Sequence, residues 1–290
     1  MSAPLPTASR WNTHSRSRYP GLWDGIVHAW CPSVLWGGAA CKPTHSGANT
    51  RDLSIGTNPL DQCWEVSGGG LSLKNTATTV EAFHAGTATE LNTASVRSYA
   101  CWARVPYTSM IFFLWDLAVG VNQRTIILAV NGSGQLNSWW SLYGSDNGTN
   151  VVGGSVVANT WNHYVQQWDE QKSERQVFLN GKLTLTAAQG AASTTASNNR
   201  LGVLAVPGRA GDNVAWFDYQ RAALGNVDDI RLYRRALHSE EIRLLATRRA
   251  IAYEPKYRPA YYTETDAGSG GGVASRPYAY QSARMIGAGR

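Results

Sequence analysis

Long apolar runs are missing from this chain: nowhere among its 290 residues does one approach the roughly 20 residues that a membrane-spanning helix needs. Met1 is followed by small, proline-containing and then basic sequence (Arg10, Arg16), with no apolar stretch of the kind a secretory signal carries. Neither a membrane span nor an export signal is expected. Cysteine is scarce, at four residues (Cys31, Cys41, Cys63 and Cys101), and no Cys-x-x-Cys pair or suitably spaced histidine accompanies them, so a metal site of the zinc type is not expected. Three of the four lie in the first 63 residues, which leaves a Cys31–Cys41 disulfide open. Without an export signal, free thiols packed as small hydrophobes are the expected state. Charged residues make up only 16% against 43% hydrophobic, which excludes a chain disordered throughout and fits one large domain with appendages or two small ones.

What charge there is lies unevenly. Of the formal net charge of +6, residues 230–290 supply all, with 11 Lys/Arg against 5 Asp/Glu, whereas residues 1–229 hold 15 of each. The first 18 residues carry Arg10, Arg16 and Arg18 and no acid. A basic tail on a neutral body fits contact with an acidic surface, nucleic acid or protein. The tail arginines are separated by Pro, Gly and Tyr rather than set at helical spacing, and no zinc-finger, basic-zipper or RNP pattern occurs. Sequence-specific nucleic-acid binding is therefore not expected.

Between about 71 and 233 the chain alternates apolar and polar residues with period two, in short runs broken by Gly, Asn, Ser and Thr, the pattern of an all-β body. Tyr99, Cys101, Ala103 and Val105 alternate with Ala100, Trp102 and Arg104; Met110–Leu114 and Thr125–Val130 follow. Asn131-Gly132 opens a turn. Asn180-Gly181, set between Gln176–Leu179 and Lys182–Leu185, predicts a hairpin whose type I′ turn needs two residues tolerant of positive φ. The polar stretches Gly144–Asn150 and Ala187–Asn199 are expected as loops. One helix is predicted after the strands, with Ser239 as N-cap, Glu240 and Glu241 in the first turn, Ile242 and Leu245 on one face, and Arg248 and Arg249 at its close, matching the helix dipole at both ends. From Tyr253 to Arg290, Pro, Tyr, Arg and Gly alternate without a sustained period, as in an extended arm.

Three motifs in order, Ala158-Asn-Thr-Trp161-Asn-His163-Tyr-Val, Val177-Phe-Leu-Asn-Gly-Lys182 and Gly225-Asn-Val-Asp-Asp-Ile-Arg-Leu-Tyr-Arg-Arg-Ala-Leu237 with Glu240-Glu241-Ile242, resemble the LamG-like, concanavalin A-like jelly roll over residues 64–247. The resemblance implies two curved antiparallel sheets, with the Trp-x-His strand, the Asn-Gly hairpin and the Val-Asp-Asp strand as core elements. It leaves function open, since this fold serves lectins, glycanases, adhesion modules and virion proteins. Gly21-Leu-Trp-Asp-Gly-Ile-Val-His-Ala-Trp-Cys-Pro-Ser33, followed by Arg51-Asp-Leu-Ser54, is similar to the opening strand of a subset of these jelly rolls from tailed-phage virions and bacterial genes like them. Ile55-Gly-Thr-Asn-Pro stands where that subset usually has Gly-Asn-His-Gly. Arg248-Arg-Ala-Ile-Ala-Tyr253 and Met285-Ile-Gly-Ala-Gly289 resemble its C-termini.

A glycanase on this scaffold needs two carboxylates about the scissile bond. The glycanase branch carries them as Glu-x-Asp-x-x-Glu on one strand, a pattern absent here. Asp169, Glu170 and Glu174, with Lys172 and Arg175 among them, read as a solvated turn. No Gly-x-Ser-x-Gly, His-Glu-x-x-His or P-loop occurs, and Gly268-Ser-Gly-Gly-Gly272 lacks the strand and helix that would make it a phosphate cradle. No catalytic residue is expected. His163 follows Trp161 on one strand face and is expected as a packed histidine. Asp228 shares parity with Ile230 and Leu232, which predicts an inward carboxylate held by backbone N–H groups, an arginine or calcium, with hydrogen bonding expected over metal. Asp229 falls beside Arg231 on the opposite, exposed face, an ion pair contributing about 0–1 kcal/mol. Calcium is common in the fold, but Asp146-Asn147 and Asp212-Asn213 offer one carboxylate each, fewer than tight sites assemble, so no cofactor is expected. Sugar binding needs exposed aromatics beside polar groups. Trp139, Trp140 and Tyr143 form one candidate glycan-binding set and Trp216 with Tyr219 another, although strand alternation sends at least one member of each aromatic pair to the core.

The expectation is an all-β, concanavalin A-like (LamG-like) jelly-roll sandwich of two antiparallel sheets, with one short C-terminal helix and extended N- and C-terminal arms. Residues 1–20 form a basic N-terminal arm, 21–247 the jelly roll (opening strand 21–33, core about 64–247), and 248–290 a basic Tyr/Arg/Gly-rich C-terminal arm. The expected function is non-enzymatic: a structural protein of a tailed-phage virion, a decoration or attachment subunit on capsid or tail. It would be assembled in the bacterial host cytoplasm and held by its arms against other virion proteins and copies of itself. In the C-terminal arm, Arg248, Arg249, Arg258, Arg276 and Arg284 would supply cationic, bidentate contacts. Tyr253, Tyr257, Tyr261, Tyr262, Tyr278 and Tyr280 would supply rigid anchors. The alternative is a lectin-like module for host-surface glycans; a glycan depolymerase would need distant acids to converge on one cleft.

Overall fold

Alternation along the chain becomes two stacked antiparallel sheets. The computed structural model describes residues 19–34, 40–41, 45–46, 53–54, 64–67, 70–75, 83–87, 96–107, 109–116, 124–142, 149–169, 171–188, 199–204 and 225–253. Along the chain run β1 (Ile26–Trp30), β2 (Ala40–Cys41), β3 (His45–Ser46), β4 (Leu53–Ser54), β5 (Trp64–Ser67), β6 (Gly70–Asn75), β7 (Phe83–Thr87) and β8 (Val96–Arg104). There follow β9 (Ser109–Asp116), β10 (Arg124–Val130), β11 (Gln135–Leu142), β12 (Thr149–Ser155), β13 (Trp161–Asp169), β14 (Glu174–Leu179), β15 (Lys182–Ala188), β16 (Asn199–Val203) and β17 (Gly225–Tyr233). One α-helix stands among the described residues, α1 (Ser239–Leu245), and short 3-10 turns lie at Pro20–Trp23 and Ile251–Tyr253.

The first sheet is ordered β15-β14-β13-β8-β17-β1-β3, with β6 on the other half of β17 and β5 beyond it; the second is ordered β12-β11-β10-β9-β16-β7-β4-β2. Between them, Tyr99, Cys101 and Ala103 of β8, Tyr164 of β13 and Ile230 and Leu232 of β17 meet Leu128, Val130 and Leu136 of the second sheet. A polar link crosses this core, Gln166 Nε2 donating to Ser138 Oγ at 2.8 Å. A second core covers the outer face of the first sheet. There Ala100, Val165, Phe178 and Tyr233 pack with Leu22 and Trp23 of the N-terminal turn, Ile242 and Leu245 of α1, and Ile251–Tyr253. With both faces dry, β13 and β17 are buried almost end to end instead of alternating between core and solvent.

Local signals place the turns. Asn180 (φ 50°) and Gly181 (φ 81°) close β14 onto β15 with two residues, as the Asn-Gly pair predicts. After β10, Asn131 Oδ1 accepts from the N–H groups of Ser133 and Gln135, each at 2.9 Å, and the positive φ falls on Gly134 (73°), so this turn is longer than a two-residue hairpin. Strand pairing enters both stretches expected as loops, because β11 offers backbone partners to Thr149 and Asn150 and β14 to Ala187 and Ala188. The opening strand is shorter than expected: Pro20–Trp23 is a 3-10 turn, and Gly25 (φ 65°) lets the chain enter β1 only at Ile26. The helix cap also shifts by one residue, since Glu241 reaches back to accept from His238 N at 2.8 Å, making His238 the N-cap and Ser239 the first helical residue. Cys31, Cys41 and Cys101 are buried, and no disulfide joins Cys31 to Cys41; Cys63 lies outside the described residues.

Candidate functional site

The two ends of the described chain meet on the outer face of the first sheet, over the middle of β17. β6 pairs with β17 at Gly225–Val227 and β1 pairs with it at Ile230–Tyr233, while on the opposite side Asp228 faces Trp102 and Arg231 faces Ala100 of β8. Three steps along β17 thus match two along β8. This is a β-bulge, with Asp229 at φ 48°, a region Asp tolerates better than most residues. The inserted residue resets the alternation. Val227 and Ile230, three apart, both enter the core between the sheets, and both aspartates take partners from the outer layer.

Two expectations drawn from strand parity are corrected here. Asp228 is buried, but not beside Ile230: its Oδ1 accepts from Ser33 N at 3.2 Å and Asp229 N at 2.8 Å, with Cys31 Sγ at 3.7 Å. Asp229 and Arg231 are not an exposed pair. Arg231 Nε donates to Asp229 Oδ1 at 2.8 Å with both side chains at 2% exposure or less, and Asp229 Oδ2 accepts from Ala250 N at 2.9 Å. The Arg231 guanidinium lies 5.0 Å from the Tyr253 ring and 5.7 Å from that of Trp23, and those rings meet edge to face at 5.3 Å. Burial alone would lower the Arg231 pKa; Asp229 beside it holds it well above the ordinary value. Removing either partner would strand a buried charge at a cost of about 3–5 kcal/mol.

Two further groups complete this node. For Asp228, burial is the main influence and raises its pKa to about 6, against the pull of Arg249, which stands 3.6 Å away and 4.1 Å above the Trp161 ring. Arg235 forks onto Glu241, with Nη1 to Oε2 at 2.7 Å and Nη2 to Oε1 at 2.8 Å, and also donates to the carbonyls of Gly21 and Asp24. Tyr233 Oη donates to the Leu22 carbonyl at 3.0 Å. A Cβ on Gly21 would sit 2.5 Å from Glu241 Oε1, so a side chain there would have to displace this carboxylate from its fork with Arg235.

Three residues assigned to the C-terminal arm therefore lie on the body: Arg248 is exposed, whereas Arg249 (side chain 10% exposed) and Tyr253 (2%) are engaged by the outer layer. Tyr253 is buried because Trp23 and Arg231 give it an apolar and a cationic face to pack on. Tyr257, Arg258, Tyr261, Tyr262, Arg276, Tyr278, Tyr280 and Arg284 lie outside the described residues, as do Tyr143, Trp216, Tyr219, Asp146, Asn147, Asp212 and Asn213. Trp139 and Trp140 are adjacent positions of β11, opposite Ile127 and Ile126 of β10 and Asn150 and Thr149 of β12, and so belong to the second sheet.

His163 is packed, 5.4 Å from Trp102, and burial first and Arg231 second lower its pKa to about 3; its Nδ1 finds no hydrogen-bond partner among the described residues. It stays neutral. Asp169 caps the β13–β14 turn, accepting from Gln171 N (3.0 Å) and Lys172 N (3.2 Å), in line with a solvated turn. Arg175 departs from that reading and is 1% exposed, because β14 lies between β13 and β15 and this position no longer belongs to the turn. No group of three His, Cys, Asp or Glu able to hold a metal occurs among the described residues. The one signal for the node in the sequence was Val227 and Ile230 set at odd spacing around two aspartates, which period two cannot accommodate without a bulge.

Residues 72–243, more than half of the chain, match the family profile described as the concanavalin A-like lectin/glucanases superfamily. The chain belongs to that superfamily. No curated protein matches the sequence. Among solved structures, a Trypanosoma rangeli sialidase bound to the inhibitor DANA is similar with TM-score 0.54 at 15% identity, over 83% of this chain and 37% of that one. The binding domain of Paraclostridial Mosquitocidal Protein 1 gives 0.51 at 13% identity, over 78% and 52%. The binding domain of botulinum neurotoxin serotype D gives 0.50 at 10% identity, over 77% and 51%. The chain thus spans about a third to a half of those chains, and at such identities the likeness is one of fold. In this concanavalin A-like protein the matched region ends at 243 and begins at 72, so Trp23, Arg249 and Tyr253 lie outside it. Trp23 and Tyr253 help to close the outer face of the first sheet.

Proposed function

We propose that this concanavalin A-like chain is a non-enzymatic structural subunit of a tailed-phage virion, tethered to neighbouring capsid or tail proteins, and to copies of itself, through its terminal sequences. The observation that carries the reading is the 5.3 Å contact of Trp23 with Tyr253, which roots the basic sequences 1–18 and 254–290 at one place on the body. The similarity of Gly21–Ser33 and Arg248–Tyr253 to virion jelly rolls supports it. So does the state of four carboxylates among the described residues: Asp228 and Asp229 are sealed in the node, Glu65 is held by Lys74 at 2.8 Å and Asn226 at 3.1 Å, and Glu241 is held by Arg235. A chain ending at Tyr253 keeps the node and is expected to fold yet fail to join the particle. Incorporation equal to that of the full chain would refute the tether.

A glycan-binding role is the second reading, favoured by the superfamily match. It would place Trp139 and Trp140 of β11, with Tyr143, Trp216 and Tyr219, at a sugar site. A glycan array with the full chain and the Trp140→Ala and Trp216→Ala variants tests it, and no binding at millimolar sugar would remove it.

A further inference from the structure

We infer that the Pro20–Trp23 turn and the Arg249–Tyr253 segment form one cooperative clasp, so that docking or tension on either terminal sequence is transmitted to the other. Neither piece can hold itself. Each is a single short 3-10 turn, of four and three residues, too short to be stable without tertiary contacts. Each instead buries its aromatic ring against the other: Trp23 is 5% exposed and Tyr253 2%, with the Arg231 guanidinium over both. The same strand, β17, holds both pieces. Asp229 binds Ala250 N, Tyr233 Oη binds the Leu22 carbonyl, and just beyond the strand Arg235 ties Gly21 and Asp24 to Glu241 of α1.

Topology gives the clasp its consequence. β1 and β17 are antiparallel, and their pairing begins at Ile26 and Tyr233, beside the first turn, while the second segment lies over Asp228–Arg231 of the same strand. Both terminal sequences leave the body from these two turns, so a pull between them loads the Trp23–Tyr253 contact before it reaches the β1–β17 ladder. Coupling of this kind is reciprocal: whatever factor loss of one turn imposes on the opening of the other must be returned. The coupling is a property of the body alone and holds whatever the terminal sequences bind.

Hydrogen exchange on the full chain reads it directly. Leu22 and Asp24 N–H are bonded to Tyr19 and Pro20 carbonyls at 3.0 and 3.1 Å, and Ala250 and Tyr253 N–H to Asp229 Oδ2 and the Ala250 carbonyl, each at 2.9 Å. Tyr253→Ala is expected to speed exchange at Leu22 and Asp24 by about tenfold or more, Trp23→Ala to do the same at Ala250 and Tyr253, and Ala100 and Val165 to stay protected in both. Acceleration confined to the turn that carries the substitution overturns the inference. If either variant loses protection at Ala100 and Val165 as well, Arg235→Lys decides. Arg235 binds the first turn and α1 through the bonds above, so faster exchange at Ala250 and Tyr253 in that variant supports the clasp, and unchanged exchange there overturns it.

Discussion

Replacing Asp228 by asparagine should make the protein more stable at neutral pH, and by an amount that depends on pH. Burial raises the Asp228 pKa from its ordinary 3.8 to about 6 in the folded chain, even with Arg249 drawing it down. Between pH 4 and 6 the unfolded chain has lost this proton while the folded chain keeps it. Folding then takes up a proton, and the stability contributed by this group falls as pH rises. Above pH 6 the group is ionised in both states and the full penalty applies, on the order of 3 kcal/mol for a shift of about two units. Near pH 5 it is about half of that, and by pH 4 it is under about 1 kcal/mol. The side-chain amide introduced by Asp228→Asn cannot ionise and keeps an acceptor for the backbone N–H groups of Ser33 and residue 229. Its NH₂ would face Arg249 in place of an oxygen, so about 3 kcal/mol is an upper figure. Urea unfolding of both proteins from pH 4 to pH 8, compared as a difference, cancels the acid destabilisation contributed by Glu65 and Glu241, whose pKa values are lowered. A variant less stable than the parent at pH 8, or a difference that does not change with pH, would refute the assignment of Asp228 as a carboxylate buried at a net cost.

Gly154 has φ 70°, and a Cβ there would overlap Thr184 Cγ2, where β12 passes β15. Gly154→Ala should cost more than about 2 kcal/mol in urea unfolding, and adding Thr184→Ala should recover the overlap but not the backbone strain; full additivity of the two changes would contradict this. Chain length should matter in steps. Ending the protein at Arg249 removes Ile251, Ala252 and Tyr253, all buried, together with the Ala250 amide that serves Asp229, and should lower stability by about 3 kcal/mol or more, whereas ending it at Tyr253 should change it by less than about 1 kcal/mol. Equal melting temperatures for these two truncations would show that the last turn adds nothing.

The local parts of this fold were legible because they depend on neighbours in the chain. Alternation from Tyr99 to Val105 gave a strand with Tyr99, Cys101 and Ala103 inward, and the Asn180-Gly181 pair gave a two-residue turn, because each follows from backbone geometry over a few residues. The start of the helix was legible to within one residue of its N-cap, but its end was not: it stops at Leu245, with Arg243 in the last turn, short of the Arg248 and Arg249 expected there. The node was not. Strand parity sent Asp228 inward and Asp229 with Arg231 outward into solvent; the inserted residue at φ 48° turned Asp228 to the outer layer, and the covering of that face by α1 and the two terminal turns buried the Asp229–Arg231 pair.

By itself the sequence determined that short strands would stack into a sandwich, since hydrophobic spacing and turn chemistry are properties of adjacent residues; the concanavalin A-like form was implied by the resemblance of its three motifs. Only the tertiary structure decided that the outer face of one sheet is sealed, that Arg231 is buried between Trp23 and Tyr253, and that the body extends to Tyr253. Those outcomes rest on contacts between residues about 200 positions apart, whose free energy appears only when the chain has closed on itself.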